Sequence, residues 1–241
     1  MRAVGVDGCK TGWLAVCLSN NMEWEIKVCK EFSEIYNEYN NASLILIDVP
    51  IGLKERGVDE RQCDKLARKI LGQGRGSSVF RVPARPAIYK ETYEEAKEAN
   101  FELTTKKITK QAWGICSKIK ELDSFLNSHI EARKIIRESH PELCFCALTG
   151  RPMRYNKQKK DGFAERKHIL FQVHPRINDI INSALSRYTR QEVKRDDILD
   201  AIVLAITALT PIEQLISTPD EVQRDNLSLP MEIVYRRFVN S

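Results

Sequence analysis

The chain lacks any long hydrophobic run. Its longest apolar stretch, Ala201 to Leu209, falls far short of the roughly 20 residues that a helix needs to cross a bilayer. No extended apolar core follows the first methionine either: MRAVGVDG already carries Asp7, so a secretory signal is not expected. Glycine and proline are scarce, 11 and 9 of 241 residues, which excludes fibrous and low-complexity chains. The seven cysteines are odd in number, scattered and without a CxxC pair, so no disulfide framework is expected. Reduced thiols in a cytoplasmic protein fit that usage. Cys144, Cys146 and His140 could offer three zinc ligands, but a fourth at a typical spacing is missing. What is present, 42% hydrophobic and 29% charged residues, suits a globular chain. A chain of this length can bury roughly 70–75% of its surface without staples. We expect one elaborated domain over residues 1–241, with no membrane partner.

The net charge of +5 says little until its distribution is examined. Leu66 to Lys90 carries +6 with no acid, Thr104 to Lys120 carries +5, and Arg151 to His168 carries +5. The remainder of the chain is therefore net acidic. Basic segments around an acidic centre are what a polyanion-binding protein needs. In Leu66 to Lys90 the arginines stand among Gly, Ser and Pro, which places them in a loop rather than on a solvated helix face. Thr104 to Lys120 reads more simply as such a face.

Periodicity gives the elements. Ala3 to Asp7, Trp13 to Leu18, and the alternating Trp24, Ile26 and Val28 predict three strands with tight turns, an antiparallel meander. Phe32, Ile35, Tyr36 and Tyr39 recur at helical spacing. Ser43 to Val49 is an apolar run suited to a sheet centre. Asp59 to Leu71 predicts a helix closed by Gly72, followed by the long punctuated loop GQGRGSSVFRVPARP. Thr92 and Glu95 form a capping box, and a helix runs from Thr109 to about Leu126. Lys134 to Ser139 can form a strand, Pro141 to Gly150 a helix, and Asp161-Gly162 a turn. Helices over Pro175 to Ser186 and Asp196 to Leu209 follow, and Met231 to Phe238 is a strand or a tail. Residues 60–130 read as a helical insertion within an α/β core.

The sharpest signal is the placing of carboxylates. Asp7 ends the first strand, Asp48 sits in an apolar strand, Glu138 ends a later one, and Asp197 and Asp200 lie on an apolar helix. A carboxylate is rarely buried unless paired or bound to metal, because desolvating it costs several kcal/mol. Acids brought by four separate segments point to a shared cation, and oxygen ligands suit Mg²⁺ or Mn²⁺. Structural roles compete: Asp7 could cap the turn after it, Asp48 could end its strand, and Asp197 could be an N-cap. Asp200, a turn into its helix, has the least need of such a role.

These residues carry a resemblance. The segments AVGVDGCKTGWLAV, LILIDVPIGL and DDILDAIVLAI are similar to those of the ribonuclease-H-like superfamily. DILDA, Asp197 to Ala201, resembles the last helix of Holliday-junction resolvases of that fold. The whole chain looks more closely like domain-of-unknown-function family 429, whose further motifs stand here as RQCD (61–64), SSVFRVPAR (77–85), ESHPELCFCALTG (138–150) and GFAER (162–166). One departure is Thr11, where the family usually has glycine. The resemblance implies a ribonuclease-H-like mixed sheet, three antiparallel strands then parallel ones, flanked by helices. It also implies a predicted nuclease hydrolysing phosphodiester bonds of a nucleic acid with two metal ions.

On that reading Asp7 bridges both ions, Asp48 or Glu138 completes one site, and Asp197 with Asp200 the other. Lys10, Ser77, Ser78, Arg81 and Arg85 would hold substrate phosphates. His140 could shuttle protons, and Glu142 suits the first turn of its helix. Two alternatives stand beside it. A phosphoryl-transfer enzyme of the same fold would use DGCKTG as a phosphate loop, although a second glycine-rich loop is missing. An inactive nucleic-acid-binding module is the other.

Overall fold

The computed structural model describes residues 1–238. Three strands open the chain: β1 (Arg2–Cys9), β2 (Gly12–Ser19) and β3 (Trp24–Cys29). Helix α1 (Phe32–Tyr39) leads to β4 (Leu44–Ile47). Four helices follow: α2 (Gln62–Arg75), α3 (Arg85–Ile88), α4 (Tyr93–Thr104) and α5 (Lys110–Ser128). The chain then forms β5 (Ile136–Glu138), α6 (Pro141–Thr149), α7 (Lys160–Val173), α8 (Ile177–Arg187) and α9 (Arg195–Ala208). It closes with β6 (Leu215–Arg224) and β7 (Pro230–Arg236).

The main sheet has the order β3-β2-β1-β4-β5. β1, β2 and β3 are antiparallel neighbours, and β4 and β5 run parallel to β1. This is the expected ribonuclease-H-like arrangement. The period-2 alternation of the strands builds a core on each face. Ala3, Leu14, Val16, Leu44 and Leu46 pack with α6, α8 and α9. Val4, Val6, Trp13, Ile45 and Ile47 pack with α1 and α5.

Helix α9 lies directly on β1 because Gly5 has no side chain. A Cβ there would sit 2.1 Å from the carbonyl oxygen of Ala201. The first turn needs one glycine as well. Gly12 has φ +147°, and a Cβ on it would meet the Cys29 carbonyl oxygen at 2.0 Å. Thr11 is not among the residues with positive φ, so the departure from the family's glycine costs the turn nothing.

Several expectations need correction. The β6–β7 hairpin was not legible, since β6 holds only one buried residue, Thr218, and reads as polar chain. Its partner β7 is buried over five of its seven residues and bridges to Ser139 beside β5. Asp161-Gly162 is not a turn but the start of α7. Gly162 is glycine because α7 presses on the preceding loop, where a Cβ would lie 1.9 Å from the Asn156 carbonyl oxygen. Helix α2 does break at Gly72, whose φ is +62°, but helical turns resume to Arg75. Of the segment 60–130, α2 contributes Cys63, Ala67 and Leu71 to the core that α9 shares, and α5 contributes Ile119 and Leu122 to the opposite one.

Candidate metal centre

Asp7 and Asp48 come together because β1 and β4 run parallel. Contrary to expectation, Asp7 does not end β1 but lies within it, one residue past the last pair with β4, and Asp48 directly follows β4. The Asp48 amide donates to the Val6 carbonyl at 3.0 Å, continuing the register in which Val6 faces Ile47. Residues alternate along a strand, so Asp7 shares the α9 face with Gly5, and Asp48 shares it with Leu46. Helix α9, held close at Gly5, then supplies Asp200 beside them. One carboxylate oxygen from each of Asp7, Asp48 and Asp200 can be chosen so that all three lie within 4.8 Å of one another. Asp7 and Asp200 are buried and Asp48 is half-buried.

Such crowding raises the proton affinity of each acid. Asp7 is pushed well above the ordinary carboxylate range by burial and by Asp48, Asp200 and Asp197, with Lys157 pulling the other way. Burial also raises Asp48, against His140 and Lys157. Asp200 is pushed up to about 7 by burial, opposed chiefly by Lys157. Lys157 is ion-paired with Asp200 Oδ2, while Asp200 Oδ1 is buried without a partner. Burial disfavours the Lys157 ammonium, yet Asp200, Asp7 and Asp48 outweigh it and hold its pKa above normal.

Lys157 is the residue that sequence reasoning missed, and GFAER was its signal. Gly162 lets α7 pack on the 156–157 backbone. Glu165 accepts from the amides of Arg154 and Tyr155 at 3.0 Å each. Buried Arg166 donates to the Tyr155 carbonyl at 3.0 Å and to Glu142. The motif thus fixes the loop that carries Lys157 to the acids.

Asp197, also buried, stands in the first turn of α9 and accepts from the Lys194 amide at 2.9 Å. It therefore caps its helix, and it also adds to the field on Asp7. Burial first, with Asp196 adding to it, pushes its pKa up to about 6.

Glu138 is not part of the carboxylate group. It takes Arg61 in two bonds of 2.7 and 2.8 Å and the Ile51 amide at 2.6 Å. Arg61 also binds Asp64 and the carbonyls of Ile51 and Gly52. The RQCD motif and Glu138 thus form a buried hub that pins the loop after Asp48. Arg85 is likewise not a surface phosphate ligand. It is buried against Glu55, Asp123 and Asp225. Arg81 donates to the Val58 carbonyl at 2.6 Å and faces Glu60, away from the acids. Lys10 is exposed in the β1–β2 turn and does not line the cleft beside Asp7. The two serines fare differently, since Ser77 and Ser78 do line it.

That cleft has a volume of about 590 Å³. Asp7, Asp48 and Asp197 lie along it, with Arg75, Lys157 and Lys194 among its polar walls. His140 and Glu142 also line it; His140 Nδ1 is buried without a hydrogen-bond partner, and Glu142 Oε2 lies 3.9 Å from Arg75 Nε. No zinc cluster forms from Cys144, Cys146 and His140: among the described residues only the Asp7, Asp48 and Asp200 group is close enough for a metal. All seven cysteines are buried thiols. No helix among the described residues is long and apolar enough to cross a membrane.

The sheet order, antiparallel then parallel strands flanked by helices, defines a mixed α/β protein of ribonuclease-H-like build. Residues 5–224 match the model of the family described as "Protein of unknown function (DUF429)", and the chain belongs to that family. No curated protein and no solved structure matches it.

Proposed function

We propose that the protein is a metal-dependent phosphodiesterase acting on nucleic acid, with Asp7, Asp48 and Asp200 holding Mg²⁺ or Mn²⁺. The observation that carries this is the convergence of three carboxylates from β1, the end of β4 and helix α9, with Asp200 Oδ1 buried and without a hydrogen-bond partner. An all-oxygen donor set fits a hard divalent cation. Such a cation, when bound, activates water and stabilises charge building on the phosphate.

The chain's own groups do the rest. Asp7 sits within β1 and Asp48 directly after β4, so the sheet backbone positions both side chains. The hub of Arg61, Asp64 and Glu138 fixes the turn that follows Asp48. Asp197 adds negative potential from the helix start. Lys157 offers ammonium donors to a phosphate oxygen at the cleft wall, which Arg75 and Lys194 also line. His140 lines the cleft with Nδ1 buried and without a hydrogen-bond partner.

The test is a cleavage screen of single strands, duplexes, hybrids and junctions in Mg²⁺ and in Mn²⁺. Cleavage should occur with at least one of them, and Asp7→Asn and Asp200→Asn should each abolish it while leaving nucleic-acid binding largely intact. Metal binding without cleavage of any substrate would reject the proposal.

A further inference from the structure

The cleft is lined by apolar as well as polar side chains. Phe80, Val82 and Ile115, all half-buried, line it together with the buried Val79. Between Gln111 and Ile115, Gly114 completes the surface of α5 that borders the cleft. Positions 111, 114 and 115 share one helix face by their spacing. Glycine inside a helix weakens it, so a packing reason is usual. Here there is none, because a Cβ on Gly114 would meet nothing within 4 Å. The glycine leaves open space at the apolar wall rather than room for another part of the chain.

We propose that this wall is a slot for one nucleobase, bringing a single unstacked nucleotide to the acids. Placing its phosphate beside Asp7 and Asp48 rests on the phosphodiesterase reading; the slot itself does not. A flat ring needs an apolar surface that comes close to backbone, and Phe80, Ile115 and Gly114 provide it. Gln111, exposed at the same edge, carries both donors and an acceptor for a base edge. Arg75, Lys157 and Lys194 line the same cleft; Lys157 is paired with Asp200 and Arg75 Nε donates to the Met153 carbonyl at 2.9 Å, so a phosphate would draw on their remaining donors. A volume of about 590 Å³ suits one nucleotide. A base within a duplex has its faces covered by stacking, so the slot selects a free nucleotide or a single strand over a duplex.

The test uses 2-aminopurine fluorescence in chelator, where no metal chemistry contributes. The probes are 2-aminopurine deoxynucleoside 5′-monophosphate, a single strand ending in 2-aminopurine, and the same strand paired. A change in 2-aminopurine emission on binding is expected with the first two, at least tenfold weaker binding with the third. Equal affinity for the first two identifies the nucleotide as the unit recognised; tighter binding of the strand identifies the strand. Gly114→Leu should weaken binding at least tenfold with a melting temperature unchanged or raised, which a structural role for Gly114 would not produce. Absence of any emission change with the first two probes, equal binding of the paired probe, or full binding by Gly114→Leu would overturn the slot. Probe binding that persists where Mn²⁺ supports no cleavage would sink the phosphodiesterase reading and leave the slot standing.

Discussion

Gly5 and Ala201 are in backbone contact: a side chain on Gly5 would start 2.1 Å from the Ala201 carbonyl oxygen and 2.3 Å from the Ala205 amide. This contact sets how near α9 lies to β1, and so how near Asp200 lies to Asp7. Gly5→Val should therefore push the helix off the strand. Overpacking a tight core typically costs 1–3 kcal/mol, and two backbone clashes place this variant at about 3 kcal/mol or more. Urea unfolding measures it, and Mn²⁺ affinity should fall with it. Wild-type stability in Gly5→Val would show that α9 does not depend on this contact.

Asp7→Asn should stabilise the metal-free protein. Burial and three neighbouring acids act against the Asp7 charge. Removing that charge should gain on the order of 1 kcal/mol, a rise of about 2–4 °C in melting temperature in chelator at pH 8. The stabilisation that Mn²⁺ gives the wild type should vanish. A lower melting temperature in chelator would mean that Asp7 serves the turn instead.

Acidity should act on the metal-free protein with an unusual sign. A carboxyl whose folded pKa is raised binds its proton more tightly folded than unfolded. Its stabilising effect is complete below the ordinary carboxylate range near pH 4 and is lost as pH rises through the folded value. With Asp197 at about 6 and Asp200 at about 7, stability contributed by these groups should decline between about pH 4 and 7. Each titrating group contributes up to about 1.4 kcal/mol per pH unit. Saturating Mn²⁺ should reverse the trend, because metal binding needs the deprotonated forms. Melting curves with and without metal across this range decide it; parallel curves would count against a shared site.

Lys157→Met should separate metal binding from turnover. Lys157 competes with a cation for Asp200. Above pH 8, where proton competition is small, its loss should tighten Mn²⁺ binding about tenfold, roughly 1.4 kcal/mol. Cleavage should fall all the same, since a phosphate donor is gone. Calorimetric titration and a cleavage assay on one preparation suffice; weaker Mn²⁺ binding would argue that Lys157 supports the acids rather than competing for them.

Arg61→Met should be among the most damaging changes. It leaves Glu138 and Asp64 buried with uncompensated charge, a loss of about 3–5 kcal/mol. Replacing Glu138 by Gln should cost less, since Gln keeps a carbonyl acceptor for Arg61 and the Ile51 amide. Denaturant unfolding of both variants checks the order.

Much of this protein was legible in its residues. Alternation and apolar runs gave the three-stranded meander, the central strand and the final buried helix. The reason is that half-buried strands and a buried helix leave distinct periodic marks. Acids set in those apolar segments also announced themselves, since burying a charge is costly enough to stand out. Asp7, Asp48 and Asp200 were found that way. What one-dimensional patterns do not carry is partnership. Glu138 and Asp48 look alike in sequence, each an acid at the end of a strand. Only the tertiary structure assigns Arg61 to Glu138 and leaves Asp48 with the acids, because Arg61 reaches across 77 positions of chain to make its pair. The arginines of SSVFRVPAR looked like a basic loop for the same reason: Arg85 finds its partners in Asp123 and in Asp225, 140 positions away. Lys157 stayed hidden among other lysines, its position set by a glycine, a glutamate and an arginine of the next helix. The polar strand β6 is held by its hairpin partner and by no pattern of its own. Local periodicity decides which segments are buried, while the pairing of buried charges depends on which segments meet in space.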